Sequence, residues 1–222
     1  MGYWRKVLAL LWKDIACELR TKEMFSSMFV FALMVVVIFN FAFELQVENV
    51  VNVAPGVLWV AISFAGVLGI NRSLVLEKDR GCIEGLMLCP IDRSVIYMGK
   101  MIGNVIFMAA MEAVALPVFA ILFNLPLLTP SLLLIVALGT LGFAAVGTLF
   151  AAIAVNTRTR EVMMPVLLFP VIVPLIIAAV KSTEAVLGGE AGGESQWLGL
   201  LAAFAVIFLV VATLTFEYVL EE

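Results

Sequence analysis

The chain has 222 residues, of which 64% are hydrophobic and only 14% charged, whereas soluble domains run near half apolar and a quarter charged. A soluble core of this size has no room for so much apolar side chain, so the natural solvent is lipid. The net charge of −4 decides little, but the absence of histidine excludes imidazole-based metal sites and imidazole acid–base chemistry, and three cysteines cannot complete a disulfide framework.

Residues 4–23 open the chain with an amphipathic pattern. Trp4, Val7, Leu8, Leu11, Trp12, Ile15 and Leu19 recur at helical spacing, with Arg5, Lys6, Lys13, Asp14, Glu18 and Arg20 mostly elsewhere on the wheel. Such a helix lies in the membrane interface, its tryptophans at headgroup level. It either anchors the first span or acts as an elbow packed beside a partner.

A spanning helix needs about 20 mostly apolar residues. Six stretches satisfy this: Met24–Phe43, Val53–Ile70, Met101–Phe123, Ser131–Val155, Val162–Val180 and Trp197–Phe216. The runs are continuously apolar, not alternating, which selects helices over a transmembrane barrel. The predicted fold is therefore all-α, one domain over 1–222, a six-helix membrane bundle with an N-terminal elbow. Twenty-three residues with several charges precede the first span and no small-residue cleavage site follows, so it reads as a retained helix, not a signal peptide.

Between the second and third spans lies the longest polar segment, residues 71–100. Gly81 can open and Pro90 can close a short helix there. Ile83, Leu86 and Met87 give it one apolar face, with Glu84 close by. Such a face is expected to find nothing of its own chain to bury against and to dock in a groove on another protein; the plainer alternative is a solvated connector with a chance apolar turn.

The third span carries the one charge found within the six, Glu112. A carboxylate at mid-membrane costs a few kcal/mol on insertion scales, so it should face the bundle interior. Either it belongs to a substrate or coupling path, or it is held by a polar neighbour such as Asn104 or Ser63. Gly99 and Gly103, spaced as GxxxG, and the small residues of the fourth span allow close helix packing without disclosing a dimer face. Pro117 in the third span and Pro165, Pro170 and Pro174 in the fifth remove backbone donors and favour kinks.

Lysine and arginine set the orientation. With the N-terminus inside, twelve of the thirteen fall on the cytoplasmic side: Arg5, Lys6, Lys13, Arg20 and Lys22, then Arg72, Lys78, Arg80, Arg93 and Lys100, then Arg158 and Arg160. Only Lys181 falls outside, where the loops carry Glu44, Glu48, Glu184, Glu190 and Glu194. Both termini are thus expected in the cytoplasm. Cys17, Cys82 and Cys89 share that reducing side, so no disulfide is expected, and Cys82 and Cys89 are too far apart for a CxxC motif. The sequence has no GxxxxGK[ST] phosphate cradle and no visible nucleophile–base pair, so it is not expected to be an enzyme.

Several segments together resemble the heme exporter protein B (CcmB) family. They are Ala54-Pro-Gly-Val-Leu-Trp-Val-Ala61, the loop ending Ile83-Glu-Gly-Leu-Met-Leu-Cys-Pro90, Lys100 at the third span, and Pro165-Val-Leu-Leu-Phe-Pro170 with Pro174. The resemblance covers essentially the whole chain. It implies the permease subunit of an ABC-type complex for cytochrome c maturation in the inner membrane. Two permease copies would pair with two copies of a cytoplasmic ATPase (CcmA), associated with CcmC and often CcmD. ATP hydrolysis in the partner would drive release of the heme-loaded chaperone CcmE. No cofactor is assigned to this chain; heme would be transported or partner-bound, and ATP would sit in the partner. The docking residues would be Ile83, Glu84, Leu86, Met87 and Pro90. No nucleic-acid partner is expected. An ABC-2 permease exporting another lipid or drug shares the same elbow, loop and six spans and is the alternative.

The charge distribution makes a direct prediction. In cysteine-accessibility labelling, a probe at position 190 should react from outside and one at position 80 from inside. Labelling of both from one face would exclude the six-span arrangement.

Overall fold

The computed structural model describes residues 2–42, 47–89, 91–126, 129–155, 157, 159–189 and 193–219. Glu44, Pro90, Arg158 and Glu190 lie outside the described residues, as do the side chains of Glu48, Glu84 and Glu194. Every element described is helical: α1 (Tyr3–Thr21), α2 (Glu23–Ala42), α3 (Val47–Asp79), α4 (Cys82–Met87), α5 (Arg93–Phe123), α6 (Pro130–Val155), α7 (Arg160–Gly188) and α8 (Gly193–Val219). Six of them, α2, α3, α5, α6, α7 and α8, are long and apolar enough to cross a membrane.

Two helices are longer than their apolar runs. At 1.5 Å per residue, the 33 residues of α3 reach about 50 Å and the 31 of α5 about 46 Å, against a hydrocarbon core of about 30 Å. Much of the surplus projects at one end of the bundle, as Arg72–Asp79 of α3 and Arg93–Lys100 of α5. The segment read from sequence as a loop over 71–100 is therefore mostly helix. Among the described residues of this segment, 80–81, 88–89 and 91–92 alone are not helical, the first break resting on Gly81 at φ +66°, a left-handed turn that suits glycine.

The core sits along α3 and α6, 72% buried over their apolar windows, whereas α8 at 17% and α2 at 28% form the rim. Without a hydrophobic force between helices in lipid, close packing and hydrogen bonds must hold them. The small residues of α6 provide the packing. The ring of Trp59, buried on α3, lies where a side chain at Gly139 would begin. Its Nε1 donates to Thr183 Oγ1 on α7 at 3.0 Å. Tyr97 of α5 donates its hydroxyl to the Ala145 carbonyl at 3.1 Å, and Asn104 Nδ2 donates to Thr148 Oγ1 at 2.9 Å. α3, α5 and α7 are thereby all fastened on or beside α6. The prolines at 55, 117, 165, 170 and 174 lie inside helices that run on through them.

Because Trp59 is rigid and fills the space over Gly139, a larger residue there must displace it. Gly139→Leu should cost about 1–3 kcal/mol of stability by overpacking, read as lost melting temperature in detergent. Trp59→Phe in the same chain should restore part of the loss; an unchanged melt for Gly139→Leu alone would refute this packing.

Candidate functional site

The projecting ends of α3 and α5 meet α1, and the meeting point is ionic. Lys100 of α5 is 3% exposed, and its Nζ lies 2.8 Å from Asp14 Oδ2 of α1 and 2.7 Å from Glu77 Oε2 of α3. Lys13 of α1 reaches the other oxygens of the same two carboxylates, Asp14 Oδ1 at 3.2 Å and Glu77 Oε1. Two cations and two anions thus form one closed, neutral group across three helices. The Lys100 ammonium thus has a carboxylate oxygen from each of two other helices within 2.8 Å. Burial pushes the Asp14 carboxyl upward, and the charges of Lys100 and Lys13 work against that rise. For Lys13, burial opposes the charge, but the Glu77 hydrogen bond and the Asp14 charge outweigh it and raise its pKa.

α1 reaches this position because α5 leaves room for it. A Cβ at Gly99 would stand 3.1 Å from Leu10 Cβ, and one at Gly103 3.7 Å from Leu11 Cδ1. The GxxxG pair is therefore the seat of the N-terminal helix. Val7 is buried there, while Trp4, Leu8, Trp12 and Leu19 are exposed along another face of α1. The apolar pattern seen in the sequence thus serves two surfaces, one against the bundle and one outward. Glu18, buried, accepts from the Phe25 amide at 2.8 Å and caps the start of α2. On the far side of the same end, Arg160 holds Asp79 through two nitrogens, at 2.9 and 3.1 Å.

α4 borders the ionic group through Ile83. Ile83 and Leu86 pack against the hydrophobic core, and Ile83 closes a small cavity with Leu74, Ile96, Val155 and Phe216, edged by Glu77 and Lys100. This corrects the expectation that the apolar face has nothing of its own chain to bury against: the helical extensions of α3 and α5 supply the surface. What remains outward is Met87, 47% exposed, and Leu88, 88% exposed. Leu88 was not singled out from the sequence. Its position just past the helix end was the available signal.

Glu112 is 4% exposed and accepts a hydrogen bond from Thr140 Oγ1 of α6 at 2.5 Å. The neighbours named from sequence do not reach it: Asn104 is engaged with Thr148, and the buried Ser63 hydroxyl has no partner. Among the described residues no three of Cys, Asp and Glu converge as a metal-ligand set. Cys17 and Cys89 are exposed and Cys82 is half-buried, all as free thiols.

Six spanning helices, an N-terminal helix seated against them and a short helix over a charged end define a polytopic membrane protein of the permease type. The chain belongs to the CcmB family, whose model matches residues 5–222. It is similar to heme exporter protein B of Rhodobacter capsulatus, 29% identical over 76% of this chain and 78% of the relative. It is also similar to those of Pseudomonas aeruginosa, 25% identical over 89% of both chains, and Paracoccus denitrificans, 28% identical over 92% of this chain and 93% of the relative.

Removing Lys100 should leave Asp14 and Glu77 facing one another in a mostly buried site. Lys100→Met is expected to cost about 3 kcal/mol, measured by unfolding in mixed micelles. Adding Glu77→Gln should return a large part of it. Equal losses for the single and double variants would show that the charges do not act as a group.

Proposed function

We infer that this chain is the membrane permease subunit of an ABC-type heme-export complex serving cytochrome c maturation, and that α4 receives the motion of a partner ATPase. The family and the names of its relatives support the cargo and the pathway. One observation carries the coupling role. α4 is fastened inward by Ile83 and Leu86 while Met87 and Leu88 stay outward. A short helix gripped on one side and exposed on the other can pass a push from outside into α3 and α5. Apolar anchors dominate such contacts, and Glu84 and Pro90 flank them in the sequence.

The sequence has no nucleotide cradle, so ATP-driven work must enter through another chain, in this reading CcmA. The strong bias of basic residues toward the α1 end supports placing that end, and both termini, in the cytoplasm with the bundle in the inner membrane. CcmC, CcmD, the chaperone CcmE and a second copy of this chain complete the proposed assembly, in which hydrolysis by the ATPase drives release of heme-loaded CcmE.

Met87→Asp with Leu88→Asp should leave the amount of folded membrane protein unchanged and abolish co-purification of the ATPase in mild detergent. Ile83→Asp with Leu86→Asp should instead lower the yield of the membrane chain itself, because those side chains pack on the core. Full recovery of the ATPase with the Met87/Leu88 variant would refute the coupling role of α4.

A further inference from the structure

Away from α4, the outer faces of α2 and α3 leave a groove of about 1170 Å³ open to the surroundings. Its wall changes character along its length. Thr21, Lys22, Glu23, Ser26, Asn71 and Arg72 surround the mouth, at the same end of the bundle as the Lys100 group. Deeper in, the lining becomes Val30, Phe31, Met34 and Leu68. Phe31 lies 6.1 Å from Phe64 between ring centres, and Phe64 5.1 Å from Phe169, so the apolar lining continues into an aromatic row.

The dimensions match one leaflet. From Lys22 to Met34 along the helical rise is about 18 Å; half of a hydrocarbon core is about 15 Å, and the headgroup region accounts for the remainder. The polar-to-apolar change along the wall therefore falls near the boundary between headgroups and acyl chains. The mouth is also positive. Arg72 pairs with Glu23 across it, which leaves Lys22 as the excess charge. Lys22 is fixed there by the turn between α1 and α2, where it adopts φ +54° and donates its amide to the Glu18 carbonyl at 2.7 Å. Hydroxyl and amide groups of Ser26 and Asn71 border the same space.

We propose that the α2–α3 groove is a binding site for an anionic phospholipid, its phosphate at Lys22 and Arg72 and one acyl chain along Val30, Phe31 and Met34. A neutral or zwitterionic lipid fills the apolar half equally well but does not satisfy the excess positive charge. The bound lipid would wedge the turn joining α1 to α2 and so steady the seat of the N-terminal helix. This site does not depend on the heme-export reading and stands or falls separately from it.

The test is native mass spectrometry of the full chain released from nanodiscs containing equal phosphatidylglycerol and phosphatidylcholine. The wild-type chain should retain phosphatidylglycerol preferentially. Lys22→Gln should reduce that retention about five-fold, the effect expected of one cation at a membrane surface. Val30→Trp, at an outward position that tolerates bulk, should displace the lipid by filling the groove, whatever the effect of Lys22→Gln on folding. Arg20→Gln, two residues away and outside the groove lining, should change nothing. Equal retention of the two lipids, or equal loss in Arg20→Gln, would overturn the proposal. So would efficient disulfide crosslinking of Met34→Cys between two copies in native membranes, which would give the groove to a second chain.

Discussion

Lys100 is an ammonium group with 3% exposure at the end of an apolar bundle, and it is tolerable only because Asp14 and Glu77 come to it from two other helices. An isolated buried cation costs several kcal/mol. That penalty makes the placement of α1 and of the α3 extension mutually dependent, since neither carboxylate alone balances both lysines. Lys13 closes the group and brings it to neutrality. A group of this kind contributes little net stability over an apolar replacement, but its loss of a single member is expensive. Its visible effect is geometric: it places Asp14 of α1 and Glu77 of α3 at the height of Lys100 on α5.

The rest of that end is arranged around this placement. With α1 held, Leu10 falls against Gly99, Glu18 reaches the Phe25 amide, and a single residue, Lys22, separates α1 from α2. With α3 and α5 held as helices beyond their apolar runs, Ile83 and Leu86 gain a surface. α4 thus packs on the bundle through Ile83 and Leu86 although it is only six residues long. In the proposed complex this matters mechanically. Displacement of α4 would reach Glu77 and Lys100, which line a cavity with Ile83, and through them both the elbow helix and two spanning helices.

Deeper in the bundle the polar contacts are sparse and pairwise. Glu112 with Thr140, Asn104 with Thr148, and Trp59 with Thr183 each join two helices. In hydrocarbon such bonds contribute modestly, often under 1 kcal/mol each, so they specify partners more than they hold the bundle together. α6 takes part in two of the three, Thr140 as donor and Thr148 as acceptor, and its Ala145 carbonyl accepts from the Tyr97 hydroxyl, consistent with its central place and its run of small residues.

The six spans, their order and the concentration of charge on one side were legible in the sequence because hydropathy over about 20 residues is a local property. So was a short helix after Gly81, since the left-handed turn there is written in the residue type. The partners were not legible. Asp14, Glu77 and Lys100 are far apart in the chain and individually look like solvated charges; only the convergence of α1, α3 and α5 makes them one buried group. The GxxxG of Gly99 and Gly103 announces close packing but not with which helix, and Glu112 announces an interior partner but not Thr140. Ile83 and Leu86 turned inward for the same reason. Local patterns determine that an apolar face exists, and tertiary contact alone determines what covers it.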